Sequence, residues 1–137
     1  MTAATAPHHD APGLPARRTM FLRALARRCP ACGGGPVFRH WFRMVPRCPS
    51  CGLRFERGEH GYHLGAVWFN LIFAEAVSMG IFFTVLIRTW PTPPWDVLEV
   101  MAPVDAVVAP FFFYPFAKTL FLAFDLSIRP PSPEDYG

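Results

Sequence analysis

Carboxylates and lysine are scarce in the polar half of this sequence. From Arg17 to His63 the only acidic residues are Glu56 and Glu59, against ten arginines, and the single lysine of the 137-residue chain, Lys118, lies far downstream. After His63 only Arg88, Lys118 and Arg129 carry fixed positive charge, in a chain that is 52% hydrophobic with 14 phenylalanines. The imbalance argues against one evenly charged soluble domain and for a small basic module fixed to a membrane. An apolar leader is missing too. The first 18 residues, "MTAATAPHHDAPGLPARR", hold no apolar core, which excludes a secretory signal peptide and predicts a disordered tail in which His8 and His9 are solvated. No Ser, His and carboxylate set suggests a catalytic arrangement, and "GGG" at 33–35 is no phosphate loop because it belongs to a cysteine turn. The expectation is a protein that is not an enzyme.

Cysteine is absent outside one stretch. "RCPACGGGPVFRHWFRMVPRCPSCGLRF" holds all four, as C-x2-C-x15-C-x2-C: Cys29, Cys32, Cys48 and Cys51. Two close thiolate pairs joined by a hairpin-length connection suit tetrahedral zinc. Pro30 and Pro49 pre-set each turn, and Gly33 and Gly52 permit the positive φ that aims backbone N–H groups at the sulfurs. A redox pair would come once, in a βαβ context, and two disulfides would need an oxidising compartment. A closed four-cysteine site leaves no open coordination position, so the expected zinc is structural. "VFRHWF" and "GLRFE" read as short strands, giving a zinc ribbon of short β-hairpins over 29–62. His40, His60 and His63 form no HExxH motif, and no second metal site is expected.

Ahead of the ribbon, residues 19–28 read as a short amphipathic helix, lying on headgroups or packed on the module. Behind it, "LGAVWFNLIFAEAVSMGIFFTVLI" predicts a first transmembrane helix over 63–88. A Pro/Trp turn follows at 89–96, then an apolar stretch from Val97 to Ile128 that is too long for one straight crossing. Pro115 and Lys118 suggest dividing it into a second span at 97–116 and a C-terminal interfacial helix at 117–129, with Leu120, Phe121 and Phe124 dipping into lipid and a tail at 130–137. The competing register, 104–126, would leave Lys118 inside the hydrocarbon. Trp90, Trp95 and Lys118 are the expected interface anchors, and the arginine skew places both termini in the cytoplasm.

Polar residues interrupt the spans, among them Asn70, Glu75 and Ser78 in the first and Asp105 in the second. In an antiparallel hairpin the two carboxyls would differ in depth by only about 6 Å. They suit a proton- or cation-handling pair, with Asn70 or Ser78 helping, or hydrogen-bonded packing contacts, the reading we favour. Two spans enclose no conduction path, so ion handling would require a homo-oligomer or a membrane protein partner. The basic head, with Phe38, Trp41, Phe42 and Phe55, suits the lipid bilayer or a protein partner; topology already explains the arginines, so nucleic acid is not expected.

The two CPxCG knuckles fifteen residues apart, "EHGYHLGAVWF" leading into a span, "TPPWD" and the "YPFAK" exit together resemble the bacterial membrane proteins of domain-of-unknown-function family 983. The resemblance covers roughly residues 25–130 and implies a cytoplasmic zinc-ribbon head on a two-span hairpin of the inner membrane. It implies no established activity; relatives beside haem–copper oxidase assembly genes point to an assembly role for a membrane complex such as a respiratory oxidase. The chain departs at Phe116 and Ala117, and Lys118 is followed by Thr119 where relatives carry glycine.

Overall fold

A computed structural model describes residues 13–137; His8, His9 and most of the expected N-terminal tail lie outside them. Three α-helices make the frame: α1 (Arg17–Leu25), α2 (Tyr62–Thr89) and α3 (Trp95–Ile128), with a 3-10 turn at Pro133–Tyr136.

Helix α1 packs inward through Met20 and Ala24, which are buried with the head core, while Leu22 and Leu25 on its other side stay exposed. It ends without glycine. The Arg27 N–H bonds the Ala24 carbonyl and the Arg28 N–H the Arg23 carbonyl, both at 2.9 Å, the pairing of a Schellman stop. Arg27 therefore adopts φ +56°, a left-handed conformation costing a side chain about 1–2 kcal/mol.

The strands expected of the β-hairpins are not found. Among the described residues the head has no strand, only isolated antiparallel bridges at Arg28–Pro36, Phe38–Met44 and Arg47–Arg54. Pro30, Pro36, Pro46 and Pro49 each remove a ladder donor, and the glycine turns leave too few residues between them to extend a pairing. The head is instead a coiled loop around Cys29, Val37, Cys48, Leu53 and Phe55.

The second correction concerns α3. No break separates a span at 97–116 from an interfacial helix at 117–129; one helix of 34 residues, about 51 Å long at 1.5 Å per residue, passes through Pro103, Pro110 and Pro115. At Pro115 the proline damage is repaired from outside the helix. Pro115 lacks the N–H that would reach the Phe111 carbonyl, and the Trp41 indole Nε1–H donates to that oxygen instead, at 2.9 Å. Asn70 Nδ2 donates to the Pro110 carbonyl (2.9 Å), and the Thr119 hydroxyl, buried among α3 carbonyls, donates to Ala24 O of α1 (2.8 Å). The last third of α3 turns most of its apolar side chains to the head, with Phe124 and Ile128 left exposed. Leu122, Ala123 and Leu126 are buried in the head core, with Leu120 and Phe121 packed against it. What looked like a surface-lying return is the spine on which the head is built.

Helices α2 and α3 are both long and apolar enough to cross a membrane, with mean hydropathies of 1.9 and 1.6 over their best windows. Only 11% of the α2 window is buried, which is not the pattern of a soluble core helix. The helices close on each other at the ends nearest the head. Ala66, Asn70 and Ala74 form a buried stripe at i, i+4, i+8, and Gly65 lies directly under the Phe121 ring, itself held edge-on between Tyr62 and Phe69. A Cβ at position 65 has no room beside that ring. Gly65→Ala is expected to cost about 1–3 kcal/mol, as overpacking does, and to lower the melting temperature of the detergent-solubilised chain; Gly80→Ala, whose site is open, should not.

Candidate metal centre

The four cysteine sulfurs all lie within 4.8 Å of one another. Cys29 Sγ is 3.8 Å from Cys51 Sγ, and Cys32 Sγ is 3.6 Å from Cys48 Sγ. Disulfide sulfurs would be about 2.05 Å apart. A tetrahedron with metal–sulfur bonds of about 2.3 Å has edges of about 3.8 Å, so the cluster already has the dimensions of a tetrathiolate site. The donor set fits the group: four soft thiols of tetrahedral spacing suit zinc or iron, and magnesium or calcium poorly.

Local sequence makes this cage. In each knuckle the glycine after the second cysteine takes a left-handed φ, +73° at Gly33 and +78° at Gly52. Their N–H groups return to the carbonyls of Cys29 (2.8 Å) and Cys48 (3.0 Å). The Gly34 N–H then points at Cys32 Sγ, 3.2 Å away, as a donor that steadies a thiolate. Arg23 of α1 reaches over the first knuckle to bond the Ala31 carbonyl at 2.7 Å. Cys29 and Cys48 are buried, Cys32 and Cys51 half-buried. Burial pushes the Cys29 thiol well up and Cys51 up to about 11. Burial would also raise Cys48, but the N–H groups of Cys51 and Ser50 and the neighbouring thiols outweigh it, leaving Cys48 below its usual value. Cys48 is thus prepared to ionise before Cys29 and Cys51, for which a cation would offset the cost of burial and repulsion.

The histidines lie apart from the cage. His40 and His60 are exposed, and His63 Nε2 pairs with Glu56 Oε1 at 2.8 Å. Among the described residues no second group of three or more metal-ligating side chains comes together.

The polar residues of the spans separate into two places. Asn70 sits where the helices are closed, spending its Nδ2 on Pro110. Glu75, Ser78 and Asp105 line one cleft of about 380 Å³ between the halves of α2 and α3 far from the head, walled mostly by apolar side chains such as Phe82, Leu98 and Met101. Trp90 and Trp95 are exposed at the turn between α2 and α3, and Lys118 Nζ lies 4.7 Å above the Tyr114 ring, nearer the head.

Sequence reading missed a second polar centre, where Arg57, Tyr62, Asp125, Arg129 and Asp135 converge. Asp125 Oδ2 accepts from Arg57 (3.0 Å) and the Tyr62 hydroxyl (3.2 Å), while Oδ1 accepts from Arg129. Arg57 also binds Asp135 Oδ2 at 3.0 Å, drawing in the C-terminal tail, whose Asp135 carbonyl receives the Arg54 N–H. A signal was available: Asp125 is the one acidic residue in the apolar stretch "KTLFLAFDLSI", as conspicuous as Glu75 and Asp105.

Among curated proteins and solved structures, none matches the chain. A family model described as a protein of unknown function (DUF983) matches residues 38–125, from just past the first knuckle through the second, both apolar helices and the Asp125 carboxylate. With more than half its length so matched, the chain belongs to the DUF983 family.

Proposed function

We propose that the chain is a non-enzymatic, membrane-anchored docking or assembly factor. Its zinc-folded head faces the cytoplasm from a two-pass anchor in the bacterial inner membrane and holds a membrane protein complex, a respiratory oxidase among the candidates. One observation carries this reading: four sulfurs at tetrahedral spacing use all the coordination positions of a zinc ion, so the metal would build the head and leave nothing for a substrate to occupy. The arginines ahead of α2 support the orientation. A photocrosslinker at Phe42, an exposed head residue, tests it in native membranes. The expected result is one recurring membrane protein adduct that disappears in Cys48→Ser. Adducts to lipid alone, or thiol labelling from the outer side of the membrane, would reject it.

A second reading rests on the cleft shared by Glu75, Ser78 and Asp105: an accessory subunit of an ion- or solute-handling complex. It expects Glu75→Gln with Asp105→Asn to retain the crosslinked partner and lose that complex's transport. A membrane-tethered nucleic-acid binder is the reading with least support, because topology already accounts for the arginines.

A further inference from the structure

A second cleft, of about 440 Å³, opens on the head between the end of α1 and the 36–41 loop. Arg27, Arg28, Arg39 and His40 line it together with Phe38 and Trp41, and no carboxylate does. None of these arginines enters an ion pair among the described residues. Its depth follows from Trp41, whose indole N–H is fixed to the Phe111 carbonyl of α3. Counting about 1.5 Å per residue from Trp95 at the outer turn, a hydrocarbon core of about 30 Å ends near Pro115. Phe111 is then one helical turn inside that boundary. The loop carrying Trp41 therefore lies at the inner membrane–water interface, its rim flanked by the exposed rings of Phe42, Phe111 and Phe112.

The end of α1 adds an independent observation. Arg27 holds a backbone conformation that glycine adopts without strain, and its guanidinium stands over two rings, 5.2 Å from the centroid of Trp41 and 5.7 Å from that of Phe116. Capping the helix does not require arginine at this position. The two rings hold its guanidinium at the mouth of the cleft.

We infer that this cleft binds the phosphodiester headgroup of an anionic phospholipid. Arg28 and Arg39 hold the phosphate oxygens, Arg27 stands at the mouth, and the acyl chains lie along the exposed phenylalanines of α3. The inference rests on the membrane-anchored reading but is separable from it: a chain that fails to stay in carbonate-washed membranes refutes the anchor, whereas a chain that stays but shows no lipid preference refutes only the cleft.

The test is native mass spectrometry of the full, metal-loaded chain in detergent, offered phosphatidylglycerol, phosphatidylcholine or inorganic phosphate. One retained phosphatidylglycerol per chain is expected, at least tenfold preferred over phosphatidylcholine and not displaced by millimolar phosphate. Arg28→Gln with Arg39→Gln should abolish the preference while the metal stays at one per chain. Arg27→Gly separates binding from folding, since relief of the left-handed backbone should keep or raise the melting temperature while lipid retention falls. Equal retention of the two lipids, displacement by free phosphate, or undiminished phosphatidylglycerol in the double variant would each overturn the proposal.

Discussion

Removing the metal, by chelation or by Cys48→Ser, is expected to unfold the head and leave α2 and α3 helical. The head has no strand ladder among the described residues, so its backbone is held by isolated bridges and turns. Its own apolar contribution is a handful of side chains, chiefly Val37, Leu53 and Phe55, closed by Met20, Leu122 and Leu126 from the helices. Structural zinc contributes on the order of 10–16 kcal/mol to such modules, as much as the whole net stability of an ordinary domain. No rearrangement of those few contacts can replace it. Trypsin should then cut at Arg39, Arg43 and Arg47, while the helical circular dichroism signal, dominated by α2 and α3, changes little. An unchanged tryptic pattern after verified demetallation would show that the thiols pack without a structural ion. Loading should also weaken as pH falls: burial keeps Cys29 and Cys51 protonated at neutral pH, so binding must release those protons.

The parts of this structure that were legible in the sequence are those fixed by local chemistry. Spacing and glycine position made the four cysteines readable as one site before any coordinates, because each knuckle is a single turn whose geometry depends on neighbours two to four residues away. The apolar run of α2 was legible for the same reason. Two features were not. The head's strands were inferred from alternation in "VFRHWF", a local signal overruled by the surrounding prolines. The break expected near Lys118 rests on Pro115, whose lost hydrogen bond is replaced by Trp41, while Asn70 and Thr119 tie α3 to α2 and α1 on either side. Those contacts join residues between 40 and 95 positions apart. No window along the chain contains them. Glu75 and Asp105 were placed at similar depth from helix counting, and they do share a cleft, but the sequence carried no sign that the helices part above Ala74.

Arg57→Ala should be the most damaging substitution outside the cysteines, at about 3 kcal/mol, because it removes the charged donor shared by two carboxylates, leaving Asp125 to Tyr62 and Arg129 and Asp135 to Ser132. Arg57 is only 11% exposed and donates to Asp125, to Asp135 and to the carbonyls of Arg129 and Pro130. Like Arg27, it holds a left-handed backbone, φ +48°, where glycine would be unstrained. Unlike Arg27, it is fully engaged. It joins the end of the head to the end of α3 and to the C-terminal tail, while Tyr62 ties the start of α2 to the same carboxylate. Arg57→Lys should recover only part of the loss, since one ammonium cannot span two carboxylates and two carbonyls in the geometry of a planar fork. Glu59→Gln is the control: its bond to Arg129 is half-exposed on both sides and should be worth about 0–1 kcal/mol. Melting in detergent gives the ranking, and carboxypeptidase digestion gives the mechanism, because Arg57→Ala should free residues 130–137 to be trimmed while Glu59→Gln should not. Acid should mimic the loss at the tail. Burial would raise the Asp135 carboxyl, but the Ser132 N–H and Arg57 outweigh it and hold it below the usual range. Its stabilisation is therefore complete above the ordinary carboxylate value and disappears as pH falls through the lowered one. A tail that stays resistant in Arg57→Ala would mean that Tyr136, packed against the head core, holds it without the clamp.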